Sequence, residues 1–332
     1  MSTRRSRLLH ACTPGRPGPL VAGWYAALIW VLVAMAAPAT AIDAASSGSE
    51  HRIAELKVFA EQLEQSPLSP PVHIESEQTR GRLRGDVYSI VEQQFETVDG
   101  ALALPASWCE ILPLQLNVKA CTNGGNGRDR LLTLYLGRKF YQKPEAAHPL
   151  PLTFEILHSS ENGLEIALRA SRGPLGTRNY VLAVAAVPLS EGRTLIHVSY
   201  SYEYGLVSRA AVFGYLKTMG RKKVGFSVVG RDRKGRPIYV RGVQGMIERN
   251  AMRYHLAVQA YLETLHVPER DRFERRIERW FDLTSVHRTQ LFEMVRDDYL
   301  RYKRRERTEQ TRLQHALPGP ASHTFASSEP AD

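Results

Sequence analysis

A long amphipathic helix near the C-terminus constrains the fold more than any other feature of this chain. Between Gly245 and His266, apolar residues recur every three or four positions, which predicts a helix of about six turns with one apolar face. The preceding residues, back to Gly85, show mainly the alternating pattern of strands. A helix with a single apolar face that follows a run of strands is expected to pack on their sheet. The sequence therefore predicts an α+β fold in which a curved antiparallel sheet wraps around the helix and leaves space for an apolar molecule.

The charge balance gives no indication of nucleic-acid binding. The 332 residues include 44 Lys and Arg against 34 Asp and Glu, and 43% are hydrophobic, which is enough for a core. Four arginines lie in the first 41 residues, which contain no acid, so 40 basic and 34 acidic residues remain in the rest. This excess is small for a chain of this length.

The N-terminus has the pattern of a targeting segment. Arginines precede an apolar run from Leu20 to Ala37, and Pro38-Ala39-Thr40-Ala41 fits a signal peptidase site. Residues 1–41 are therefore predicted to be a signal peptide, with cleavage before Ile42 and a periplasmic or secreted body. The alternative is a retained inner-membrane anchor with the domain outside, because the apolar run is near the minimum length for a membrane span.

Changes of pattern divide the rest of the chain into four parts. Residues 42–84 are predicted to be a helical lead and linker, 85–267 a ligand-binding domain, 268–315 charged helices, and 316–332 a disordered tail. One face of the charged helices is apolar, and three covers for it are open: the domain itself, a partner chain or a membrane surface. The oligomeric state is left open.

Two cysteines of the predicted domain form a candidate disulfide. Cys109 and Cys121 are an isolated pair, and in an oxidising compartment such a pair is expected to be bridged. The alternative is two buried thiols. No His or Cys lies nearby at the spacing of metal ligands, so a metal site is not predicted.

The order of the predicted elements resembles the helix-grip fold. Phe95-Glu96-Thr97-Val98 ends a strand and leads into a short helix, and Leu104 to Pro113 contains a small-polar-Trp segment followed by Pro. Over about residues 85–266 the chain resembles the superfamily of START lipid-transfer domains, birch-pollen-allergen-like proteins and polyketide cyclases, grouped as SRPBCC. The resemblance implies a hydrophobic cavity for lipids, sterols or polyketides, and it carries no universal catalytic residues.

The candidate cavity residues combine aromatic side chains with two arginines. The set is Trp108, Tyr200, Tyr202, Tyr204, Arg249 and Arg253. The three tyrosines share one face of a predicted strand and either line the cavity or pack in the core. The two arginines lie four positions apart on the long helix, so both could reach one carboxylate or phosphate head group. The alternative is a solvent-exposed face with a Glu–Arg pair.

A basic segment before the long helix is the sharpest charge feature. Its cations are Lys217, Arg221, Lys222, Lys223, Arg231, Arg233, Lys234 and Arg236, against one acid, Asp232. Such a segment at the rim of a cavity is expected to dock on anionic lipid head groups. Ordinary solvated loops also carry charges of this kind.

These features favour an exported, non-catalytic binding or carrier protein for a hydrophobic, lipid-like molecule. One alternative is a cyclase or dehydratase that uses Glu203, His197 or Glu248 as acid or base in the same cavity. Another is an envelope interaction module built on residues 268–315. No Walker loop, dinucleotide fingerprint, metalloprotease or nucleophile-elbow motif is present, so no cofactor is predicted.

Overall fold

The computed structural model describes residues 39–65, 72–79, 81–124, 131–205, 214 and 220–317. The targeting segment up to residue 38, Lys217 and the tail after residue 317 lie outside the described residues. The strands are β1 (Val72–Thr79), β2 (Arg82–Val91), β3 (Val118–Asn123), β4 (Leu131–Leu136), β5 (His148–Ser160), β6 (Gly163–Arg172), β7 (Thr177–Pro188), β8 (Thr194–Tyr204), β9 (Val228–Arg231) and β10 (Pro237–Tyr239). The helices are α1 (Ala39–Gln65), α2 (Phe95–Leu102), α3 (Pro105–Ile111), α4 (Gly242–Glu263), α5 (Glu269–Val286), α6 (Arg288–Leu291) and α7 (Arg296–Ala316).

Eight strands form one antiparallel sheet in the order β1-β2-β8-β7-β6-β5-β4-β3. The two short helices α2 and α3 lie between β2 and β3 in the chain, and β9 and β10 form a separate hairpin just before α4. This sequence of strand, two short helices, strand meander and long helix confirms the predicted helix-grip α+β architecture.

The long helix α4 lies across the sheet, as its apolar stripe predicts. Ile247, Ala251 and Val258 are buried. The closest approach is at Gly85 of β2, where a Cβ atom would lie 3.1 Å from Cβ of Ala251, so the crossing needs a residue without a side chain. The helix begins at Gly242 and ends at Glu263, about three residues earlier at each end than predicted.

A second helical layer covers the other side of α4. Ile277 and Trp280 of α5 and Tyr299 of α7 belong to the same hydrophobic core as the sheet, and Trp280 stacks on Tyr299 with ring centroids 4.9 Å apart. As a result 14 of the 22 residues of α4 are buried, charged ones included. The C-terminal helices therefore pack on the domain, which was the first of the three predicted covers.

The linker prediction is wrong for the residues just before Gly85. Val72–Thr79 forms β1, which pairs with β2 along its whole length at the edge of the sheet. Its sequence, VHIESEQT, is polar at most positions, because an edge strand that is largely exposed needs few apolar residues. The polar residues of 72–79 suggested a linker, but they belong to an exposed edge strand.

The opposite edge of the sheet, β3, is tied to two helices. The predicted disulfide is confirmed, since Cys109 of α3 and Cys121 of β3 are bonded with Cα atoms 4.9 Å apart. From α7, Gln310 accepts a hydrogen bond from the backbone N–H of Cys121 at 2.8 Å and donates to the carbonyl of Cys109 at 3.0 Å. One turn later, Gln314 bonds both the N–H and the carbonyl of Asn123 at 2.8 Å.

No helix among the described residues is both long and apolar enough to cross a membrane. The apolar run from Leu20 to Ala37 is outside that part of the chain.

Candidate functional site

Four tyrosines meet between the sheet and α4, and we call them the tyrosine cluster: Tyr180 of β7, Tyr200 and Tyr202 of β8, and Tyr254 of α4. Tyr200 packs on Tyr254 with ring centroids 4.9 Å apart, and Tyr180 stacks on Tyr202 at 5.2 Å. Strand alternation places the two β8 tyrosines on the face that α4 covers, as the sequence predicts. The third predicted tyrosine of that strand face, Tyr204, is half-buried against the neighbouring apolar residues Leu83 and Ile247.

The hydroxyl groups of the tyrosine cluster are mostly unpaired. Tyr180 donates to Oγ1 of Thr177 at 2.7 Å. Within the described part of the chain, the hydroxyls of Tyr200, Tyr202 and Tyr254 have no hydrogen-bond partner. Burial raises the pKa of all three phenols above the ordinary value, so they stay neutral over the physiological range. The cluster thus combines flat apolar rings with neutral polar hydroxyl groups.

Trp108 has a different environment from the tyrosines. Its ring is fully buried in the main core, and its indole N–H donates to the carbonyl of Leu102 at 2.9 Å. The ring therefore packs α3 against the sheet, and a contact of Trp108 with a ligand remains a prediction.

The two arginines of α4 are buried, so the alternative of a solvent-exposed face is wrong, and a contact of either arginine with a ligand remains a prediction. Arg249 donates to the carbonyl of Val224 at 3.0 Å, and Nη2 of Arg253 lies 2.8 Å from Oε1 of Glu293. Periodicity within α4 gave no sign of this burial, because the covering layer is formed by later helices.

The carboxylate of Glu293 forms ion pairs with three cations from distant parts of the chain. We call Glu293, Lys139, Lys223 and Arg253 the Glu293 cluster. Besides Arg253, its carboxylate binds Nζ of Lys139 at 2.7 Å and Nζ of Lys223 at 3.4 Å. The net charge of the cluster is therefore +2. Lys223 also donates to the carbonyl of Phe292. Lys223 and Arg253 were predicted in two separate groups, and the fold brings them together.

The other cations of the basic segment are exposed, apart from Lys217, which lies outside the described residues. Arg221 and Lys222 precede Lys223, and the β9–β10 hairpin carries Arg231, Arg233, Lys234 and Arg236. Arg236 pairs with Asp232 at 2.7 Å. The same hairpin exposes three large apolar side chains, Val228 (54%), Val229 (64%) and Ile238 (44%). Apolar side chains next to basic ones are the combination expected of a membrane-docking surface.

Glu248 is a buried hydrogen-bond acceptor that links several segments of the chain. A substrate cannot reach it, as it would need to reach an acid–base catalyst. Its carboxylate is fully buried and accepts hydrogen bonds from Ser76 Oγ (2.7 Å), Ser227 Oγ (2.7 Å) and the backbone N–H groups of Phe226 (2.6 Å) and Ser227 (3.0 Å). A Cβ atom on Gly225 would lie 2.5 Å from this carboxylate, so the loop can approach only because Gly225 has no side chain. The carboxylate joins β1, α4 and the loop before β9.

The other two acid–base candidates lie away from the tyrosine cluster. Glu203 is bound to Arg178 at 3.0 Å on the opposite side of β8. His197, also on that side, bonds Asp86 at 2.8 Å and stacks on Tyr88 with centroids 4.3 Å apart. Each of the two side chains has its own partner and lies on the face of β8 opposite Tyr200 and Tyr202, so neither shares the face of the tyrosine cluster.

His197 lines a groove of about 850 Å³ between α1 and the outer face of the sheet. Its charged side chains pair with one another: Arg52 forms two bonds to Glu165, and Arg84 binds Asp86. Burial would raise the pKa of Asp86, but hydrogen bonds from His197 and Arg84 outweigh it and hold the pKa below its usual value. The groove combines these ion pairs with apolar side chains such as Phe59 and Val181, and it lies on the face of the sheet opposite the tyrosine cluster.

Sequence reasoning missed two members of the Glu293 cluster. Lys139 follows β4 and Glu293 lies between α6 and α7, 154 residues apart. Neither stands in a motif, and only the packing of α5–α7 on the domain brings them together. Tyr180 and Tyr254 were also not predicted as site residues, although Tyr254 belongs to the stripe that predicted α4.

Comparison with known proteins gives structural matches alone. No protein-family model matches the sequence, and no curated protein matches it. Among solved structures, human StAR-related lipid transfer protein 5 is 10% identical over 67% of this chain and 98% of its own, with a TM-score of 0.33. The Zhui aromatase/cyclase from Streptomyces sp. R1128 is 11% identical over 62% of this chain and 96% of its own, with a TM-score of 0.34. Norcoclaurine synthase from Thalictrum flavum is 15% identical over 45% of this chain and 80% of its own, with a TM-score of 0.30.

Identities and TM-scores this low say nothing about ligand or activity. The assignment depends on the strand order, on α2 and α3 between β2 and β3, and on α4 across the sheet. On these observations the chain has the helix-grip fold.

Proposed function

We propose that this protein binds an apolar, lipid-like molecule between the sheet and α4, next to the tyrosine cluster. The observation that carries the proposal is the cluster itself, in which three neutral phenol hydroxyls have no partner among the described residues. An apolar ligand with one hydrogen-bonding group would pack on the rings and pair with these hydroxyls. The proposed site of action is outside the cytoplasm, which the predicted signal peptide supports.

A carrier protein is expected to keep its ligand during purification, so a search for a co-purifying molecule tests the proposal. Native mass spectrometry of the full chain, followed by organic extraction, is expected to give a stoichiometric apolar adduct. The neutral fluorescent probe N-phenyl-1-naphthylamine is expected to bind the protein stripped of that adduct and to be displaced by the extract. Absence of both an adduct and probe binding would contradict the proposal.

Removing two hydroxyls should weaken binding without destabilising the protein. Tyr200→Phe/Tyr254→Phe keeps both rings, and since the hydroxyls have no described partner, we expect stability to stay within about 0.5 kcal/mol. Affinity for the extracted ligand is expected to fall about tenfold, the worth of one hydrogen bond in a desolvated site. Probe titration and urea unfolding measure the two effects.

Tyr261→Phe is the matched control for that variant. Its hydroxyl bonds Oγ of Ser107 at 2.8 Å inside the core, so its loss should cost about 1 kcal/mol of stability and leave ligand affinity unchanged. Equal affinities in the two variants would count against the tyrosine cluster as the binding surface.

The exposed side chains of the β9–β10 hairpin support docking on an anionic membrane as part of the same function. Each basic residue near such a surface contributes about 1 kcal/mol, so Arg233→Glu/Lys234→Glu should weaken binding to phosphatidylglycerol-containing vesicles more than about tenfold. Arg270→Glu/Arg275→Glu makes the same charge change on the exposed face of α5 and should have little effect. Vesicle sedimentation that shows equal losses, or no binding by the parent protein, would exclude the hairpin as the docking surface.

A further inference from the structure

We propose that the groove between α1 and the outer face of the sheet, which we call the α1 groove, binds an aromatic anion, that is, a flat ring system linked to one anionic group. Its volume of about 850 Å³ is within the range of small-molecule sites. The tyrosine cluster lies on the other face of the sheet. The α1 groove is therefore a second site, and the proposal stands without the proposed function.

Three rows of side chains cross the floor of the α1 groove, because directly paired residues of neighbouring antiparallel strands point to the same face. The row nearest α1 is Tyr88, His197, Ala185 and Glu165, the middle row is Asp86, Ser199, Ala183 and Ala167, and the far row is Arg84, Ser201, Val181 and Arg169. Successive rows are two residues apart along each strand, so the near and far rows are separated by roughly 13 Å.

The middle row gives the groove its depth. Ser199 and Ala183 both line the groove, and their side chains are short. The rows on either side carry aromatic rings or arginines. Short side chains between two rows of long ones leave a trough in which a flat ring system can lie.

The row nearest α1 forms an aromatic wall. Tyr88 stacks on His197 with ring centroids 4.3 Å apart, and Phe59 of α1 packs on Tyr88 at 4.9 Å. All three rings line the groove. An aromatic ligand in the trough would pack against them in the offset or edge-to-face arrangements that such rings prefer.

His197 also offers a hydrogen-bond acceptor at this wall. The pKa of Asp86 lies below its usual value, so its carboxylate is ionised and can only accept the 2.8 Å bond from Nε2 of His197. In the neutral imidazole Nδ1 is then an acceptor, and no donor to it is found in the part of the chain that the structure describes. An N–H or O–H group on the ring system would pair with it.

The far row provides the anion subsite. Arg84 and Arg169 stand at its two ends with Ser201 and Val181 between them, about 14 Å apart across three strand spacings. Both side chains are long enough to meet over Ser201. Ser201 is 4% exposed, lines the groove, and its hydroxyl has no partner over the described ranges. One anion over Ser201 would receive bonds from the hydroxyl and both guanidinium groups.

The resident ion pairs leave guanidinium donors free. Arg84 exposes 43% of its side chain and its partner Asp86 only 10%, while Arg52 exposes 50% and its partner Glu165 only 8%. A guanidinium has five N–H donors, and a carboxylate with two oxygens does not use them all. In both pairs the carboxylate is the buried member, so the groove surface presents N–H groups, which favours an anionic ligand.

Calorimetric titration of the full chain with 8-anilinonaphthalene-1-sulfonate tests the site, because this probe combines two linked ring systems, an N–H group and a sulfonate. Ala183→Leu fills the trough from its floor and should weaken sulfonate binding more than tenfold. Thr153→Leu makes a similar change on the same face of the sheet, beside Arg169 but outside the groove, and should bind as the parent does. Equal affinities in the two variants, or no binding by the parent, would overturn the proposal.

Arg169→Gln tests the anion subsite separately from the shape of the trough. It should weaken sulfonate binding about tenfold, because one charge-assisted bond is lost. The matched control is Arg178→Gln. Each variant removes an exposed arginine that pairs at 3.0 Å with a glutamate on this face, but Arg178 does not line the groove. Equal losses in the two variants would show that the sulfonate responds only to surface charge, and this would overturn the subsite.

The tyrosine cluster supplies the last control. Tyr200→Phe/Tyr254→Phe should bind the sulfonate as the parent does, whereas the neutral analogue N-phenyl-1-naphthylamine should bind Ala183→Leu as it binds the parent. Sulfonate binding that is lost in the tyrosine variant and kept in Ala183→Leu would place the probe at the tyrosine cluster. That result would overturn the α1 groove as a site and leave the proposed function standing.

Discussion

Replacing Glu306 by Gln is expected to lower the free energy of unfolding by about 3–5 kcal/mol, because it leaves two buried lysines without a counter-charge. The carboxylate of Glu306 on α7 binds Nζ of Lys119 and Nζ of Lys303, both at 2.7 Å. The exposed fractions of Lys119, Lys303 and Glu306 are only 1%, 4% and 3%.

Backbone carbonyls complete the coordination of both ammonium groups. Lys119 donates to the carbonyls of Leu116 (2.7 Å) and Phe140 (3.1 Å), and Lys303 donates to those of Gln115 (2.6 Å) and Val118 (3.0 Å). Carbonyl oxygens satisfy hydrogen bonds but bring no net charge. The whole electrostatic balance of this buried site therefore depends on the single carboxylate of Glu306.

Urea unfolding of Glu306→Gln measures the loss, with Glu309→Gln as control. Glu309 lies on the same helix and pairs at 3.0 Å with Arg312, which is largely exposed, so its replacement should cost only about 0.2–0.5 kcal/mol. Similar losses in the two variants would contradict the assigned role of Glu306.

The pH dependence of the parent protein's free energy of unfolding should also reflect this buried site. Burial lowers the pKa of Lys303 to about 8. Between that value and the ordinary lysine pKa, the unfolded chain still holds a proton that the folded chain has lost. The contribution of Lys303 to the free energy of unfolding therefore rises with pH through that interval.

Replacing Glu248 by Gln is expected to cost about 2–5 kcal/mol. The carboxylate accepts four hydrogen bonds, and an amide in its place offers one oxygen and one donor nitrogen. The backbone N–H groups of Phe226 and Ser227 both donate to Oε2, whereas the hydroxyls of Ser76 and Ser227 both donate to Oε1. A glutamine oxygen toward the two N–H groups leaves its NH2 facing two hydroxyl donors, and all four bonds lose the charge of their acceptor. Each buried donor without a partner costs about 1–3 kcal/mol.

The effect of this substitution should be local as well as global. Amide hydrogen exchange at residues 226–240 and in β1 should quicken more than exchange in β6 or β7, because Glu248 is the tie between α4 and these segments. Glu263→Gln, on the same helix but beside the partly exposed Arg279, is the control and should leave the exchange pattern unchanged. If exchange in Glu248→Gln quickens equally in all of these segments, the carboxylate does not specifically hold residues 226–240 and β1 on α4.

Sequence periodicity predicted the dominant apolar face of an element and missed the contacts that its other faces make. The stripe of α4 and the alternation of β8 each follow from a single apolar contact surface, so both were predicted correctly. Arg249, Arg253 and Glu248 have partners that are distant in sequence or lie in the loop before β9, and the polar pattern of these α4 positions suggested solvent. The Glu293 cluster depends on contacts between residues far apart in the chain, and no local pattern encodes them.

The side-chain amides of α7 have a consequence for how this chain associates with other strands. A bare sheet edge is a template on which strands of other molecules can add and start aggregation. At Cys121 and Asn123 the template is occupied, because Gln310 and Gln314 imitate the amide pattern of a ninth strand. The C-terminal helix thus protects the protein against edge-to-edge association along β3, a benefit separate from its contribution to the core.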